Sequence, residues 1–360
     1  MKQTKASFLL VSLNAGGIET YLLRFLKLYG HDISTFVVVK NGKKGDLYDE
    51  YIQSGTKIIP LKMGYLNVIA WFRLFKFFKY EKIETVCDMS ANFAGITMTI
   101  ARIAGIKKRI AFYRQSSHHF TLTTYNLAYA NVVNWLVYKN ATTILANSQH
   151  AFNFYFAKKI DDRCKVIKNG VNKELFEIKE SKSALRKYFG LPEDCFIVGH
   201  TGRVAPAKNH QTILRVAAKI CFDMKNVIFV LAGNGTQQLP DQEGVIALGY
   251  CREIPELLKT FDLFYFPSLT EGQPNALIEA MVMGLPFVAS DIEAIKECVP
   301  ENHYSQLVPA TDIDAGVEKI KEMIHHRNKN QFCCQEWAME AYDANRNFHQ
   351  FFNELKAAHE

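Results

Sequence analysis

Leu263–Pro286 reads LFYFPSLTEGQPNALIEAMVMGLP. Leu263–Phe266 is a short continuous apolar run, the pattern of a strand buried on both faces. Pro274 suits the first turn of a helix, where a missing N–H costs nothing. Ala276–Met281 are good helix formers, and Gly284 with Pro286 stops them. The spacing therefore predicts a strand, a loop carrying Glu271, and a helix carrying Glu279, with Gly272, Gln273, Pro274 and Asn275 turning between them. A helix start offers free N–H groups and partial positive charge, which suits a phosphate. Carboxylates beside it are strong acceptors for sugar hydroxyls. One can hold a ribose diol and the other a hexose hydroxyl, with a diphosphate between.

The string P-S-L-x-E-G-x-P-N-A-L-I-E-A-M-x-x-G-x-P resembles the E-x7-E signature of the retaining glycosyltransferases of family 4. The resemblance implies an α/β fold of the GT-B type, two Rossmann-like domains facing across a cleft. It implies that Glu271 meets the donor sugar and Glu279 the nucleotide ribose, with Gly272–Ala276 lining the donor. Gly202, Arg203 and Lys208 match the family's G-R-x4-K element. A guanidinium grips a diphosphate through two hydrogen bonds and an ammonium adds a compact charge. Both stabilise the negative charge that develops as the nucleotide leaves. Asn234, inside Gly233-Asn234-Gly235, is similar to the family's G-x-G loop, and Gly249-Tyr250 stand where the family meets the base. Val166–Asn172 resembles its I-x-N-G-V crossover segment.

The first half is looser. Ala6–Leu13 reads as a buried strand, Asn14-Ala15-Gly16-Gly17 as a turn, and Ile18–Tyr29 as an amphipathic helix, the opening of a nucleotide-fold half. Gly16 and Gly17 let the backbone approach a ligand; their spacing is not that of a dinucleotide fingerprint. Strand-and-helix alternation continues to Ile167, with a helix predicted over Lys43–Ser54. Tyr113–His119 follows a strand where the family carries a His-containing loop. The family spacing is H-x-H directly after the strand; here Arg114 stands near that place and His118 and His119 come later. Two roles stay open: an Arg114 contact to acceptor phosphate, and a catalytic or acceptor role for His118 or His119.

Length bounds the architecture at two domains. We place them at 1–168, binding acceptor, and 169–339, binding the nucleotide sugar, with the apolar-striped end of the chain, about 340–360, returning to the first. The linker falls at about 168–192, and Asp312–Ala358 reads as mainly helical. A composition of 48% apolar and 22% charged residues excludes general disorder. Net charge of +7 suits an anionic partner: a nucleotide diphosphate, a phospholipid surface or nucleic acid. The eight Cys form no C-x-x-C pair and read as reduced thiols. No run is long and apolar enough to span a bilayer. Leu66–Tyr80 interleaves Trp71, Phe72, Phe75, Phe77 and Phe78 with Arg73, Lys76 and Lys79. That pattern fits either a helix in a bilayer interface or a core helix with a basic outer face.

The resemblance implies a metal-independent enzyme without a cofactor, which moves a sugar with retention from a nucleotide-diphosphate sugar. The donor expected first is a UDP-sugar. The acceptor is a glycan or lipid-linked sugar of cell-surface polysaccharide or glycolipid synthesis, and no nucleic acid is expected as partner. The expected location is cytoplasmic, on the inner face of the membrane. Two alternatives stay open: a GT-B epimerase or hydrolase of nucleotide sugars, and a non-catalytic basic membrane-binding protein.

Overall fold

The computed structural model describes residues 3–64, 67–115, 123–156, 159–326 and 332–356. The chain divides into two units, Met1–Gly170 with Asn345–Glu360, and Val171–Ala344. In the first, the order is β1 (Thr4–Leu10), α1 (Gly17–Tyr29), β2 (Ile33–Val39), α2 (Tyr48–Gln53), β3 (Lys57–Pro60), α3 (Val68–Tyr80), β4 (Thr85–Asp88), α4 (Ala94–Ile103), β5 (Lys108–Tyr113), α5 (Thr124–Asn140), β6 (Thr143–Ala146), α6 (Gln149–Phe156) and β7 (Cys164–Val166). The second holds α7 (Lys182–Tyr188), β8 (Phe196–Thr201), α8 (His210–Asp223), β9 (Val227–Ala232), β10 (Val245–Gly249), α9 (Ile254–Thr260), β11 (Leu263–Phe266), α10 (Asn275–Val282), β12 (Phe287–Ser290), α11 (Glu293–Lys296), β13 (Leu307–Val308), α12 (Ile313–His325) and α13 (Gln335–Ala341). The chain then returns to the first unit through α14 (Ala344–Leu355).

Unit 1 is a parallel sheet ordered β3-β2-β1-β4-β5-β6-β7, and unit 2 a parallel sheet ordered β10-β9-β8-β11-β12-β13. A parallel sheet is buried on both faces, which is why its strands read as unbroken apolar runs such as Phe36–Val39 and Leu263–Phe266. Right-handed crossovers put helices on opposite faces wherever the strand order reverses. In unit 1 the reversal lies between β1 and β4, so α1 and α2 cover one face and α3, α4 and α5 the other. In unit 2 it lies between β8 and β11. Ligands of open α/β sheets bind outside the strand C-termini at such reversals.

Three expectations shift. The helix predicted over Lys43–Ser54 forms only from Tyr48 to Gln53. Gly45 packs so tightly on the backbone of Leu13 that an added Cβ would lie 2.3 Å from its carbonyl carbon, which holds the preceding segment as a brace for the loop after β1. The helix predicted over Leu66–Tyr80 starts at Val68, where Asn67 caps it by accepting from the Ala70 N–H at 3.0 Å; Leu66 lies outside the described residues. The last helical stretch divides into α12, α13 and α14. In α14, Phe348, Phe351 and Leu355 are buried, and Phe351 meets Phe25 of α1 at 4.7 Å between ring centroids.

Candidate functional site

At the C-terminal edge of the unit 2 sheet, three loops are laced together by main-chain hydrogen bonds. The Gly202 N–H donates to Ala232 O and the Val204 N–H to Asn234 O, each at 2.8 Å, so the loop after β8 runs beside the loop after β9. Gly233 closes that contact: its φ is +143°, and a Cβ there would stand 2.2 Å from Gly202 O. The Leu269 N–H donates to Ala207 O at 2.8 Å, tying in the loop after β11. Asn209 fastens the same junction. Its φ is +55°, and its Nδ2 donates to Pro267 O at 3.1 Å and to Ala310 O at 2.8 Å. The Gly233 N–H donates to Gly249 O at 2.6 Å, which brings the end of β10 into the group.

This lacing sets Lys208 against Glu271, with Nζ and Oε1 2.6 Å apart and side chains 21% and 11% exposed. The Lys208 ammonium also lies 4.8 Å from the centre of the Phe266 ring. Arg203, Asn234 and Tyr250 are exposed on the flanking loops, and Gly202 is half-buried. Pro274 precedes the helix rather than occupying its first turn, and no side chain caps α10. The first rung of α10 is Ile278 N–H to Pro274 O, so the N–H groups of its first turn point out of the helix start. Gly272, Gln273 and Pro274 are buried, Asn275 and Ala276 half-buried. Glu279 sits one turn in and is 8% exposed. Every residue proposed from the sequence in the second half thus belongs to adjoining loops, or to α10, at one edge of one sheet.

Two residues under this edge carried no signal as part of a site. His200 and His210 are buried, with ring centroids 5.0 Å apart. His200 Nδ1 bonds Tyr265 O at 3.0 Å, and burial holds its pKa down to about 3. Burial also lowers that of His210. Both rings are neutral at pH 7, directly beneath the Lys208 loop.

The candidates of unit 1 lie at its own sheet edge. Gly16 precedes α1 and Gly17 begins it. A Cβ on Gly16 would come 2.6 Å from Oε2 of Glu19, so that helix start already holds a carboxylate; the Ala15 N–H donates to Asp46 Oδ2 at 3.1 Å. Arg114 is 7% exposed, its guanidinium 3.4 Å from the centre of the Tyr21 ring and bonded through Nη2 to Asn169 Oδ1. Burial lowers its pKa to about 10. In this placement the side chain braces the end of β5 against the crossover at Asn169, and an acceptor contact does not follow from it. His118 and His119 lie outside the described residues. A buried ion pair, Lys40 Nζ to Asp88 Oδ2 at 2.6 Å, spans the strand reversal, and Ser90 Oγ accepts from the same ammonium at 2.6 Å. Among the described residues no group of three or more His, Cys, Asp and Glu could hold a metal ion.

The chain matches two sequence families: "Glycosyltransferase Family 4" over residues 15–175 and "Glycosyl transferases group 1" over residues 195–326. A Bacillus subtilis protein named EpsF and described as a glycosyltransferase is 26% identical over 374 residues, covering 98% of this chain and 96% of its own. The capsular polysaccharide biosynthesis glycosyltransferase CapH of Staphylococcus aureus is 27% identical, covering 89% and 90%. The UDP-Gal:alpha-D-GlcNAc-diphosphoundecaprenol alpha-1,3-galactosyltransferase of Escherichia coli is 27% identical, covering 69% and 68%. Among solved structures, Anabaena HepE in complex with UDP-glucose superposes with a TM-score of 0.83 at 21% identity, covering 98% and 99%. The sucrose-phosphate synthase of Thermosynechococcus elongatus reaches 0.75 at 15% identity, covering 98% of each chain. The two parallel sheets are those of the GT-B fold.

Proposed function

The chain belongs to family 4 of the glycosyltransferases, and we propose that it moves a sugar from a UDP-sugar to a glycan or lipid-linked acceptor, with retention at the anomeric carbon. The observation that carries this reading is the Lys208–Glu271 contact at the laced loops of unit 2. Lys208 and Glu271 form an ion pair that a ligand can divide. With a nucleotide sugar, the ammonium turns to the diphosphate and the carboxylate to hydroxyls of the donor sugar. Arg203 and the start of α10 meet the remaining phosphate charge, and Glu279 the ribose. As the glycosidic bond breaks, these groups stabilise the departing UDP, so the proposed chemistry needs no metal. The acceptor hydroxyl attacks from the face the diphosphate leaves, and that diphosphate takes its proton. Gly16, Gly17 and the His118–His119 segment serve the acceptor side.

The relatives support the choice of donor and acceptor. The Escherichia coli enzyme's name specifies a UDP-sugar and a lipid-diphosphate acceptor, and HepE was solved with UDP-glucose. None of the described helices is long and apolar enough to cross a membrane. We place the protein on the cytoplasmic side, touching the inner face of the membrane through α3.

The test is a thermal-shift panel of UDP-, GDP- and ADP-sugars, followed by anomeric analysis of the product. A ligand at 100 times its Kd adds about 2.7 kcal/mol of stability. Stabilisation by a UDP-sugar and a product of unchanged anomeric configuration are expected. No response to any nucleotide sugar, or an inverted product, overturns the reading.

A further inference from the structure

The outer surface of unit 1 is chemically one-sided. Between Tyr51 and Ile160 fourteen Lys and Arg stand against three acids, Glu81, Glu84 and Asp88. Asp88 is buried on Lys40, and Glu84 accepts from the Lys5 N–H. Not one residue of α3, α4 or α5 is Asp or Glu. The helices of the opposite face differ: α1 carries Glu19, α2 Asp49 and Glu50, and α14 Glu354.

The three acid-free helices form one layer. The strand order puts all of them on the same face. Gly95 of α4 lies against the backbone of α5, where a Cβ would come 2.3 Å from Val133 O, and Arg102 Nη1 donates to Asn140 Oδ1 at 3.1 Å. Their inner sides fill the core with Leu74, Phe78, Met98 and Val137. Their outer sides are not polar in return. Ile69, Phe72, Ile103, Tyr125, Val132 and Trp135 are each more than half exposed. Exposed cations lie among them: Arg73, Lys76, Lys79, Arg102, Lys107 and Lys139.

The order along the helices matters. A helix that follows a parallel strand runs back against it, so its N-terminus sits at the strand's C-terminal edge. Ile69 and Phe72 occupy the first turns of α3, and Tyr125 the first turn of α5. Lys76 and Lys79 end α3, Arg102 ends α4 and Lys139 ends α5. Val132 and Trp135 lie at the middle and in the second half of α5, and Ile103 and Tyr80 end α4 and α3, so exposed apolar side chains run the length of the layer with the cations among them.

We infer that the whole α3–α4–α5 layer is a docking surface for an anionic phospholipid bilayer. The exposed aromatic and aliphatic residues sit at the headgroup boundary, and the cations among them lie on anionic headgroups. Charge complementarity selects this occupant, since three helices without acids, mixing exposed aromatics with cations, match a negative apolar boundary. The inference rests on the membrane contact proposed for α3. It extends that contact from one helix to a layer.

The test is co-sedimentation of the full chain with phosphatidylcholine vesicles, with and without phosphatidylglycerol. Binding to the phosphatidylglycerol vesicles is expected, weakened by salt and weak on pure phosphatidylcholine. V132S/W135S on α5 lowers partitioning about tenfold, and Lys139→Ala about fivefold. Unfolding temperature, measured beside each variant, stays unchanged because the replaced side chains are exposed. If V132S/W135S binds as the parent does while I69S/F72S on α3 loses binding, the layer is overturned and the α3 contact survives. No binding to the anionic vesicles overturns both. Equal binding to pure phosphatidylcholine overturns the anionic partner.

Discussion

Each unit ends its sheet with a Lys–carboxylate pair at the strand reversal, and the two pairs differ in how far they are buried. Lys208 and Glu271 are 21% and 11% exposed on loops; Lys40 and Asp88 are 4% and 0% exposed beneath theirs. The separations are equal, at 2.6 Å. A pair in contact with solvent can exchange partners with a ligand at little cost. A sealed pair cannot, because each charge depends on the other for its solvation. Burial lowers the Lys40 pKa and Asp88 pulls it back up. A lysine and a carboxylate thus form a structural tie in unit 1 and, in the function proposed above, a ligand grip in unit 2.

The largest expected effect is on the sealed pair. Lys40→Met leaves Asp88 buried with only Ser90 to satisfy it, and should cost about 3–5 kcal/mol of unfolding free energy in urea titrations. The double variant K40M/D88L should recover most of that loss, since it removes both charges. Binding of UDP-sugar, measured below the unfolding transition, should not move. A loss of nucleotide affinity in Lys40→Met would break the contrast between the two pairs.

The open pair should answer in the opposite way. Lys208→Ala and Glu271→Gln are each expected to lower kcat by about 10²-fold, while unfolding free energy changes by about 1 kcal/mol. A variant that loses stability but keeps turnover would place this pair with the sealed one.

Asn209 sharpens the comparison, because it holds the open pair in place without touching the reacting atoms. Asn209→Gly keeps the positive φ and loses three side-chain hydrogen bonds, to Pro267 O, to Ala310 O and from Thr212 Oγ1, about 2 kcal/mol; Asn209→Ala adds the left-handed backbone cost and should reach about 3 kcal/mol. A rise in KM for donor larger than the fall in kcat, and larger in the alanine variant, is the expected kinetic signature. Equal kinetics in the two variants would mean that the backbone conformation has no part in placing Lys208.

How far each pair was legible in the sequence follows from how it is built. Arg203 and Lys208 sit on β8–α8 and Glu271 and Glu279 on β11–α10, each a strand–turn–helix whose spacing is readable along the chain, although Lys208 and Glu271 meet only because β8 and β11 pair. Lys40 and Asp88 meet only because β2 and β4 pair on either side of β1, and nothing local at Lys40 distinguishes it from a solvated lysine after a strand. Arg114 shows the same limit: a cation just past a strand reads as a ligand contact, yet Tyr21 and Asn169, distant in sequence, enclose it. The shortened α2 is a third case, since the constraint on Gly45 comes from the backbone of Leu13. The open parallel sheets were legible because alternating strand and helix signals are local, and the GT-B assignment came from the resemblance of the Glu271–Glu279 string; tertiary burial of charge leaves no such local signal.

The smallest effect concerns the ground under the open pair. His200 donates through Nδ1 to Tyr265 O, so its Nε2 is the bare nitrogen, buried against the Lys208 loop. Burial is the main cause of its depressed pKa, with His210 and Lys208 adding to it. The folded ring titrates at about 3 and the unfolded ring near 6.5. Between those values the unfolded chain binds the extra proton, so stability rises with pH across this window. The contribution is complete above about pH 6.5 and drains away as pH falls toward 3, by at most about 1.4 kcal/mol per pH unit. His210, shifted in the same direction, steepens the loss. Unfolding free energy measured between about pH 4.5 and 6.5 should therefore slope more steeply for the parent than for His200→Asn, which cannot titrate. Equal slopes would mean that the ring reaches solvent in the folded protein, and the loop holding Lys208 would then rest on a looser base than the sealed pair of unit 1.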